Sequence, residues 1–492
     1  MEALTKRIIA IVLIVAIGAG VGVTAWIFLA APGAGEYSWG AKDCPGLPEG
    51  ATVTSENIIK FGVAGDVGEI TGDGAWEGTR FAAKEINAAG GIVINGTTYY
   101  IGVTKEDTDE ANPNLVTSRG VNAAERLVYN KKVHFGIGGF RSEALLAYRE
   151  VFMENEIIFI DTGAATDVFC ASVGSWYTRY KYFWRSMPIN SSSLGAQIFG
   201  YLFYMVGLLN YTYHPATSPI GGTEPIDKIG IIYEDLTWTK DLVNGVKTYF
   251  GTPGIPVPPY NKYAGMLVED IPYDVTLTSA DMLTHVNALI AAGCDIVIPV
   301  ISAQGGVFLT QHYADLTPNF ILIGIDVQSQ LDTYWTQTGG DCVYETIMQS
   351  IHYTNKTATT KSFWTDFRTE YGHDPLYTAS GSYDAVNFLV WAIEETQSLD
   401  PDVITVQMET ATKSNVINNP GDFPSSVGGL GAYNSNHDLI AGYPFGYTLW
   451  CQWQANATKI ICPTGGYVYP DTALENIGTY QVSPWVHTAW TT

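Results

Sequence analysis

The sequence IIKFGVAG at Ile58–Gly65 is followed by a Gly/Asp loop and then by GAWEGTRFAAKEINAAGG at residues 74–91. The first run is short and mostly apolar, as in a buried strand, whereas the second has the spacing of a helix. The same alternation continues along the chain. Further strand-like runs are YYIGVTKED, VHFGIGG, EIIFIDTG, KIGIIYED, CDIVIPVIS and NFILIGID, with helix-compatible segments at 115–129, 142–154 and 279–292.

Short apolar strands that alternate with helices predict parallel sheets covered on both faces, hence an α/β fold. The number of strands predicts two such sheets. Ligands of open parallel sheets bind at the carboxyl ends of the strands. The loops to inspect are therefore AGDVGEITGDG (64–74), GIGGFRSE (136–143), DTGAATD (161–167) and EDLTWTKD (234–241).

Length and composition agree with a globular chain. With 492 residues, of which 46% are hydrophobic, two or three compact units are expected. The 49 Asp and Glu exceed the 25 Lys and Arg, which gives a formal net charge of −24. Such an acidic chain repels phosphate backbones, so nucleic-acid binding is excluded as a general function.

The N-terminus predicts a membrane segment. Residues 8–31 contain no charged side chain, follow Lys6 and Arg7, and end at Pro32. A helix of this length reaches about 36 Å, enough to cross a hydrocarbon core of about 30 Å. The positive-inside rule then places the remaining chain outside the cell, as a single-pass protein of the cell membrane. An uncleaved anchor is preferred, and a removed signal peptide is the alternative.

Six cysteines suit an oxidising exterior. The stretch WCQWQANATKIICP is predicted to turn at Asn456-Ala457, which would place Cys451 opposite Cys462 in a disulfide. For Cys44, Cys170, Cys294 and Cys342 the pairing is left open. Sequons predict surface glycosylation at some of five sites; they are Asn95, Asn190, Asn210, Asn355 and Asn456.

Signals for catalysis and for metal binding are weak. The sequence contains no GxSxG, HExxH or P-loop motif and no Cys/His cluster, so no enzyme, cofactor or metal is predicted. The acidic stretch KEDTDE at 105–110 lacks the spacing of a calcium loop. It is interpreted as a solvated strand end.

The order of these motifs resembles the leucine/isoleucine/valine-binding proteins of branched-chain amino-acid ABC importers. The resemblance extends from IIKFGVAG through VHFGIGGFRS, EIIFIDTGAAT, KIGIIYEDLTWTKDLVNGVK and YTASGSYDAVNFLVWAIEET to GLGAYNSNHDLIAGYPFGYTLWCQWQ, over about residues 57–470. It implies a type I periplasmic-binding-protein fold, in which two Rossmann-like lobes are joined by three crossings and close on a ligand.

The resemblance also implies the domain boundaries. After a membrane segment (1–33) and a stalk (34–56), lobe one would span 57–187 and 351–430. Lobe two would span 188–350 and 431–470, followed by a tail (471–492). The crossings are expected near 186–190, 350–353 and 429–433.

The family's ligand-binding positions transfer to several residues of this sequence. By resemblance, Ser142 would hold the ligand carboxylate, the Ala164 carbonyl would accept from an ammonium, and Asp326 would pair with that ammonium. Three departures from the family pattern alter the pocket. A binding threonine of the family is replaced by Ala165, and Thr166 follows one residue later. Two aromatic positions of the family are occupied by Ser302 and Thr71. The remaining candidates are Trp238 as the closing aromatic residue and Arg141 as a grip for an extra carboxylate. Simpler roles stay open: Ser142 and Asp326 as helix caps, Trp238 as rim packing and Arg141 as a solvated residue.

The sequence therefore predicts a membrane-anchored extracellular solute-binding protein, which passes a small polar ligand to an ABC permease. Branched-chain amino acids lead the candidate ligands, with amides, urea-like solutes and short peptides as alternatives. A sensory ectodomain and a self-associating structural protein of the cell surface are the alternative functions. The acidic, sequon-bearing exterior without a lipobox cysteine suggests an archaeal source.

Overall fold

The computed structural model describes residues 37–213, 225–251, 264–411 and 431–491. Within these ranges the chain forms two sheets flanked by helices, each sheet at the centre of one lobe. The predicted α/β fold with two parallel sheets is confirmed. The predicted membrane segment at 8–31 lies outside the described residues and stays a prediction.

The sheet of lobe one has the strand order β2-β3-β1-β4-β5-β6, parallel except for the β2–β3 hairpin. Its strands are β1 (Ile58–Gly65), β2 (Ile92–Ile94), β3 (Thr97–Asp107), β4 (Phe135–Gly138), β5 (Ile158–Asp161) and β6 (Phe183–Arg185). Its helices are α1 (Ile70–Ala88), α2 (Thr117–Glu125), α3 (Ser142–Glu154), α4 (Val168–Ser175), α5 (Tyr177–Tyr180) and, from later in the chain, α11 (Thr360–Tyr371), α12 (Tyr377–Thr396) and α13 (Pro401–Met408).

Helices α1 and α12 pack closely in this lobe. A Cβ atom at Gly78 would overlap the carbonyl oxygen of Ala379, so glycine is required where the two helices meet. Beside this contact, Phe81 packs edge-on against Phe363 and Phe367 of α11. The late helices α11 and α12 are thereby fixed to the first part of the chain.

The sheet of lobe two has the order β13-β12-β11-β10-β9-β7-β8, with antiparallel pairing only at β11–β12 and β12–β13. Its strands are β7 (Ile229–Glu234), β8 (Leu267–Tyr273), β9 (Ile296–Ile301), β10 (Ile321–Asp326), β11 (Thr346–Gln349), β12 (Leu449–Trp453) and β13 (Lys459–Ile461). Its helices are α6 (Ser191–Tyr213), α7 (Thr239–Phe250), α8 (Ser279–Ala291), α9 (Gly306–Leu316), α10 (Thr333–Gln337) and α14 (Pro484–Thr491).

Helix α6 is long and apolar enough to cross a membrane, and 56% of its most apolar window is buried inside lobe two. Its buried side chains, among them Leu202 and Met205, belong to the same core as strands β7, β9 and β10. Burial on one face accounts for its apolar composition, because a core helix needs apolar residues where it contacts a sheet.

The chain crosses between the lobes where the sheets end. The first crossing joins β6 to α6 over residues 186–190, and the second joins β11 to α11 over residues 350–359. The third lies between Leu439 and β12, later than the expected 429–433. Residues 433–439 pair with lobe one instead, since Asp438 bridges Arg185, and the His437 ring stacks on Trp184 at 3.8 Å. Ring stacking of this kind leaves no helix or strand periodicity in the sequence. The third crossing was therefore expected too early in the chain.

The described part of the expected stalk packs against lobe one. Trp39 donates its indole N–H to the carbonyl oxygen of Lys131 at 2.6 Å, and Asn87 donates to Pro45 O at 2.8 Å. The expected tail is likewise part of lobe two. Gln481 and Gln452 exchange two hydrogen bonds, and Trp490 packs edge-on against Tyr213.

The predicted disulfide is wrong, because the six cysteines are buried free thiols. Gln454 N–H donates to Thr458 O and Ala457 has a positive φ of 62°, so the β12–β13 loop has three residues instead of two. The pairing consequently slips by one, and Cys451 faces Ile461. A one-residue slip exchanges the faces of a strand, which separates the two thiols.

The five sequons differ in accessibility. Asn95, Asn355 and Asn456 are exposed. Asn190 and Asn210 are half-buried, and each donates its side-chain N–H to another residue, at 3.2 Å and 2.7 Å respectively. Half-burial leaves less room for a glycan at the latter two, so the exposed three are the sites to which the prediction best applies.

Candidate functional site: a cavity between the lobes

A cavity lies between the two lobes, next to the carboxyl ends of strands from both sheets. It contains about 550 Å³ of empty space, including the part that opens to solvent. It is lined by Phe140, Arg141, Gly163, Ala165, Ile189, Leu194, Trp238, Ser302, Ile325, Val327, Gln330, Met348, Ser350, Tyr377 and Thr448. Three of the four predicted loops contribute to this wall. The lining is mainly apolar and aromatic, as in many small-molecule sites.

Arg141 is the charged residue among these lining residues. Its side chain is 1% exposed and lies over the Phe140 ring, 5.4 Å from the ring centre. One terminal nitrogen, Nη2, donates to the side-chain oxygen of Gln304, whereas Nε and Nη1 have no hydrogen-bond partner among the described residues. Buried guanidinium N–H groups normally have acceptors, so these two are candidates for binding a ligand oxygen.

The acid that pairs with the Arg141 guanidinium is Glu234, at the end of β7. Its Oε2 atom lies 3.7 Å from Arg141 Nη1, which is ion-pair distance but too long for a hydrogen bond. Both of its oxygens accept hydrogen bonds from lobe two: from the backbone N–H of Ser302, Ala303 and Gln304, and from side chains of Ser302 and Trp238. Glu234 is therefore held by its own lobe.

Two further hydrogen bonds join the lobes beside the cavity. Gln304 of lobe two donates its side-chain N–H to Ala111 O of lobe one at 2.9 Å. Thr237 N–H of lobe two donates to the Glu143 carboxylate of lobe one at 2.6 Å. Together with the Arg141–Gln304 bond, these contacts hold the lobes in a closed arrangement.

Glu110 fixes the backbone that carries Arg141. One carboxyl oxygen accepts the backbone N–H of Phe140 at 3.1 Å and of Arg141 at 3.0 Å, and the other accepts the Thr108 hydroxyl at 2.8 Å. Burial raises the pKa of Glu110 to about 8. The interpretation of residues 105–110 as a solvated strand end is thus wrong for Glu110, which turns inward after β3 to support the neighbouring loop.

Four of the predicted site residues line the cavity: Arg141, Ala165, Trp238 and Ser302. Trp238 lies just before α7 and is 6% exposed. Its backbone carbonyl accepts the Ser191 hydroxyl at 2.5 Å, and the same hydroxyl contacts Ala165 O at 2.9 Å. Ser191 therefore connects the two loops that carry these wall residues.

The other predicted residues are buried beside the cavity and are not among its lining residues. The Ser142 hydroxyl accepts Thr166 N–H at 3.2 Å. The carbonyl oxygens of Ala164 and Thr166 both accept from Arg185, at 3.3 Å and 3.0 Å. Thr71 is buried, and its hydroxyl has no hydrogen-bond partner among the described residues.

Asp326 is used within lobe two. One carboxyl oxygen accepts the backbone N–H of Gln328 at 3.0 Å, and the other accepts the Tyr334 hydroxyl at 2.8 Å. A Cβ atom at Gly306, the first residue of α9, would overlap Asp326, so the carboxyl lies directly against this helix start. Burial raises its pKa to about 6.

Sequence reasoning missed several wall residues, notably Gln330, Met348 and Tyr377. Gln330 has a buried side-chain oxygen without a hydrogen-bond partner among the described residues. It lies in a short 3₁₀ turn (Gln328–Gln330) after β10, whereas Met348 lies in a strand next to a crossing. The carboxyl end of β10 was the available signal for Gln330, and no sequence signal marked the other two.

Comparison with known proteins identifies the fold and the family. A family model described as periplasmic binding protein matches residues 60–437. Among solved structures, the leucine binding protein LivK from Thermotoga maritima is 15% identical, covers 84% of this chain and 99% of its own, and has a TM-score of 0.60. A solute binding protein of an ABC transporter from R. palustris, in complex with benzoate, is 16% identical over 86% and 99%, with a TM-score of 0.60.

A third similar structure is the branched-chain amino acid transporter substrate binding protein LivJ from Streptococcus pneumoniae, in complex with isoleucine. It is 16% identical, covers 82% of this chain and 97% of its own, and has a TM-score of 0.58. These similarities agree with the two-sheet fold. The chain therefore belongs to the periplasmic binding protein family and has its type I fold.

Proposed function

We propose that this protein is the solute-binding component of an ABC importer and closes its two lobes around a small ligand that carries a carboxylate. The observation that carries the proposal is the buried guanidinium of Arg141, with two nitrogens lacking acceptors, in the wall of a largely apolar cavity. A carboxylate supplies the acceptors that such a planar donor group prefers.

The contacts across the cleft support capture by lobe closure. Lobe one contributes Arg141 and Phe140 to the wall, and lobe two contributes Trp238 and Gln330. A ligand that touches both sets favours the closed state, because only that state offers both. The process requires no bond to be made or broken.

Similar proteins of this fold support the ligand class. Two of the solved structures described above are complexes, one with isoleucine and one with benzoate, and both molecules combine a carboxylate with an apolar body. The sequence prediction of a branched-chain amino acid falls within this class. Amides, urea-like solutes and short peptides fit the unpaired guanidinium nitrogens less well, since they bring weaker acceptors or larger bodies.

The proposal includes a place in the cell. The uncharged run at residues 8–31 would anchor the chain, and the acidic folded part would face the exterior and deliver its ligand to a membrane permease. Protease treatment of intact cells tests this placement. Digestion of the folded part in intact cells supports the external placement. If the folded part is digested only after the cells are lysed, the placement is contradicted.

A ligand screen on the full-length chain in mild detergent tests the binding function. A ligand at about 100 times its Kd should raise the free energy of unfolding by about 2.7 kcal/mol. The panel contains amino acids, aliphatic and aromatic monocarboxylates, and their amides. We expect stabilisation by carboxylates and its loss in Arg141→Met.

The matched control is Arg119→Met, which removes an arginine whose side chain is 54% exposed and remote in sequence from the wall. This variant should respond to ligand like the unmodified chain. If no solute stabilises a folded chain, the importer proposal fails, and a structural role at the cell surface becomes the better explanation.

A further inference from the structure

The chemistry of the cavity also bears on the part of the ligand that is not a carboxylate. The Ala164 carbonyl, which by resemblance would accept from a ligand ammonium, already accepts from Arg185 Nη1 at 3.3 Å. An ammonium bound at this oxygen would have to share it with the Arg185 guanidinium, which already pairs with Asp438. A carbonyl oxygen that already accepts one hydrogen bond has only one lone pair left for an ammonium.

Asp326, the other group assigned to the ammonium, is enclosed by its own lobe. Its oxygens accept from the Tyr334 hydroxyl and from the backbone that follows β10, and the start of α9 covers it at Gly306. The side chain is 1% exposed and is not among the residues that line the cavity. The carboxylate thus stabilises a turn and a helix start within lobe two.

The described lining residues include no aspartate or glutamate. Glu234 lies behind the wall and accepts five hydrogen bonds from lobe two. A ligand ammonium would therefore meet no acidic side chain among the described lining residues and would lie in the same cavity as the Arg141 cation, which is unfavourable. A carboxylate without an amino group avoids this cost and still supplies an acceptor to a free guanidinium nitrogen.

We propose, on the basis of the function proposed above, that the ligand is a monocarboxylate with an apolar aliphatic or aromatic body and without an amino group. The carboxylate accepts from one of the free nitrogens of Arg141, Nε or Nη1, and the body contacts Phe140, Trp238 and Met348. The unpartnered side-chain oxygen of Gln330 accommodates one neutral donor, such as a hydroxyl group, on that body.

Pairs of ligands that differ only in the amino group test this inference on the full-length chain. The pairs are 4-methylpentanoate with leucine, 3-methylbutanoate with valine, and 3-phenylpropanoate with phenylalanine, measured by isothermal titration calorimetry. We expect each acid without the amino group to bind about tenfold or more tightly than its amino acid. The corresponding neutral amide 4-methylpentanamide should bind more weakly than 4-methylpentanoate, because it lacks the charge that pairs with Arg141.

The outcomes separate this inference from the proposed function. Equal or tighter binding of the amino acids overturns the inference and leaves the importer proposal intact, and a loss of that binding in Asp326→Asn would identify the ammonium partner. If neither the acids nor the amino acids bind, and no solute of the wider panel binds, the importer proposal itself is overturned. Tight binding of the acids that survives Arg141→Met would overturn the assignment of Arg141 as their partner.

Discussion

Among the buried arginines of lobe one, Arg185 and Arg141 have contrasting surroundings. Arg185 donates from Nε and Nη2 to the two oxygens of Asp438 at 2.8 Å and 2.7 Å, and from Nη1 to two backbone carbonyls. Arg141 donates to one side-chain oxygen, and two of its nitrogens have no acceptor among the described residues.

This difference separates a structural cation from a binding cation. A buried charge whose hydrogen bonds are filled by the protein stabilises one arrangement of the chain, whereas a buried charge with unfilled bonds is costly until a ligand fills them. Burial alone does not distinguish the two residues. They differ in the hydrogen-bond acceptors that surround each guanidinium.

The largest effect is expected for Arg185→Met. This change leaves Asp438 buried without its partner, so the free energy of unfolding should fall by about 3–5 kcal/mol. Urea denaturation followed by tryptophan fluorescence measures the loss. Arg119→Met serves as the exposed control and should change the free energy of unfolding by less than about 0.5 kcal/mol. A loss below about 1 kcal/mol for Arg185→Met would show that the bidentate pair adds little to stability.

Arg141→Lys sharpens the comparison from the other side. Lysine keeps the positive charge but loses the fork of N–H donors, so carboxylate affinity should fall by roughly tenfold or more. The free energy of unfolding should change little, because Glu234 remains hydrogen-bonded by lobe two. Calorimetry and urea denaturation on the same variant give both values. A large loss of stability with unchanged affinity would reverse the roles assigned to the two arginines.

Glu110→Gln tests the carboxyl that positions Arg141. Because the pKa of Glu110 is raised to about 8 from its ordinary 4.5, the folded state holds the proton more tightly than the unfolded state. This contribution to stability is fully present below about pH 4.5 and is lost as the pH rises to about 8, with a slope of at most about 1.4 kcal/mol per pH unit.

The variant lacks this titration, so the stability difference between the unmodified chain and Glu110→Gln should shrink steadily across that pH range. Denaturation curves at several pH values measure it. Parallel pH profiles of the two proteins would mean that folding does not raise the pKa of Glu110.

The smallest effect is expected for Ser142→Ala. The Ser142 hydroxyl accepts Thr166 N–H at 3.2 Å, so its removal should lower the free energy of unfolding by about 1 kcal/mol. Ligand affinity should change by less than about threefold, since Ser142 is not a wall residue. A tenfold loss of affinity would restore the carboxylate-binding role that the family resemblance implies.

The sequence predicted the elements with strong periodicity and missed what depends on distant partners. Strands such as β1 and β9 are continuous apolar runs, and their burial in parallel sheets follows from that pattern. The β12–β13 register failed because a single left-handed residue, Ala457, lengthens the loop by one position.

At the site, the sequence predicted the loops that form the wall. It did not predict which of their polar groups are free to bind a ligand. The Ala164 carbonyl is occupied by Arg185, which lies in a different strand, and nothing in either local sequence reveals this contact. Conversely, the local sequence around Glu110 predicts an exposed acid. Its role in holding the loop of Phe140 and Arg141 depends on the position of that loop beside the end of β3.

The hydrogen bonds across the cleft have a kinetic consequence. The bonds from Gln304 to Ala111 O and from Thr237 to Glu143 join the lobes beside the cavity, and the residues around the cavity are largely buried. A ligand enclosed there can leave only after these bonds break. Variants that weaken either bond should therefore release a bound ligand faster, which stopped-flow displacement measures.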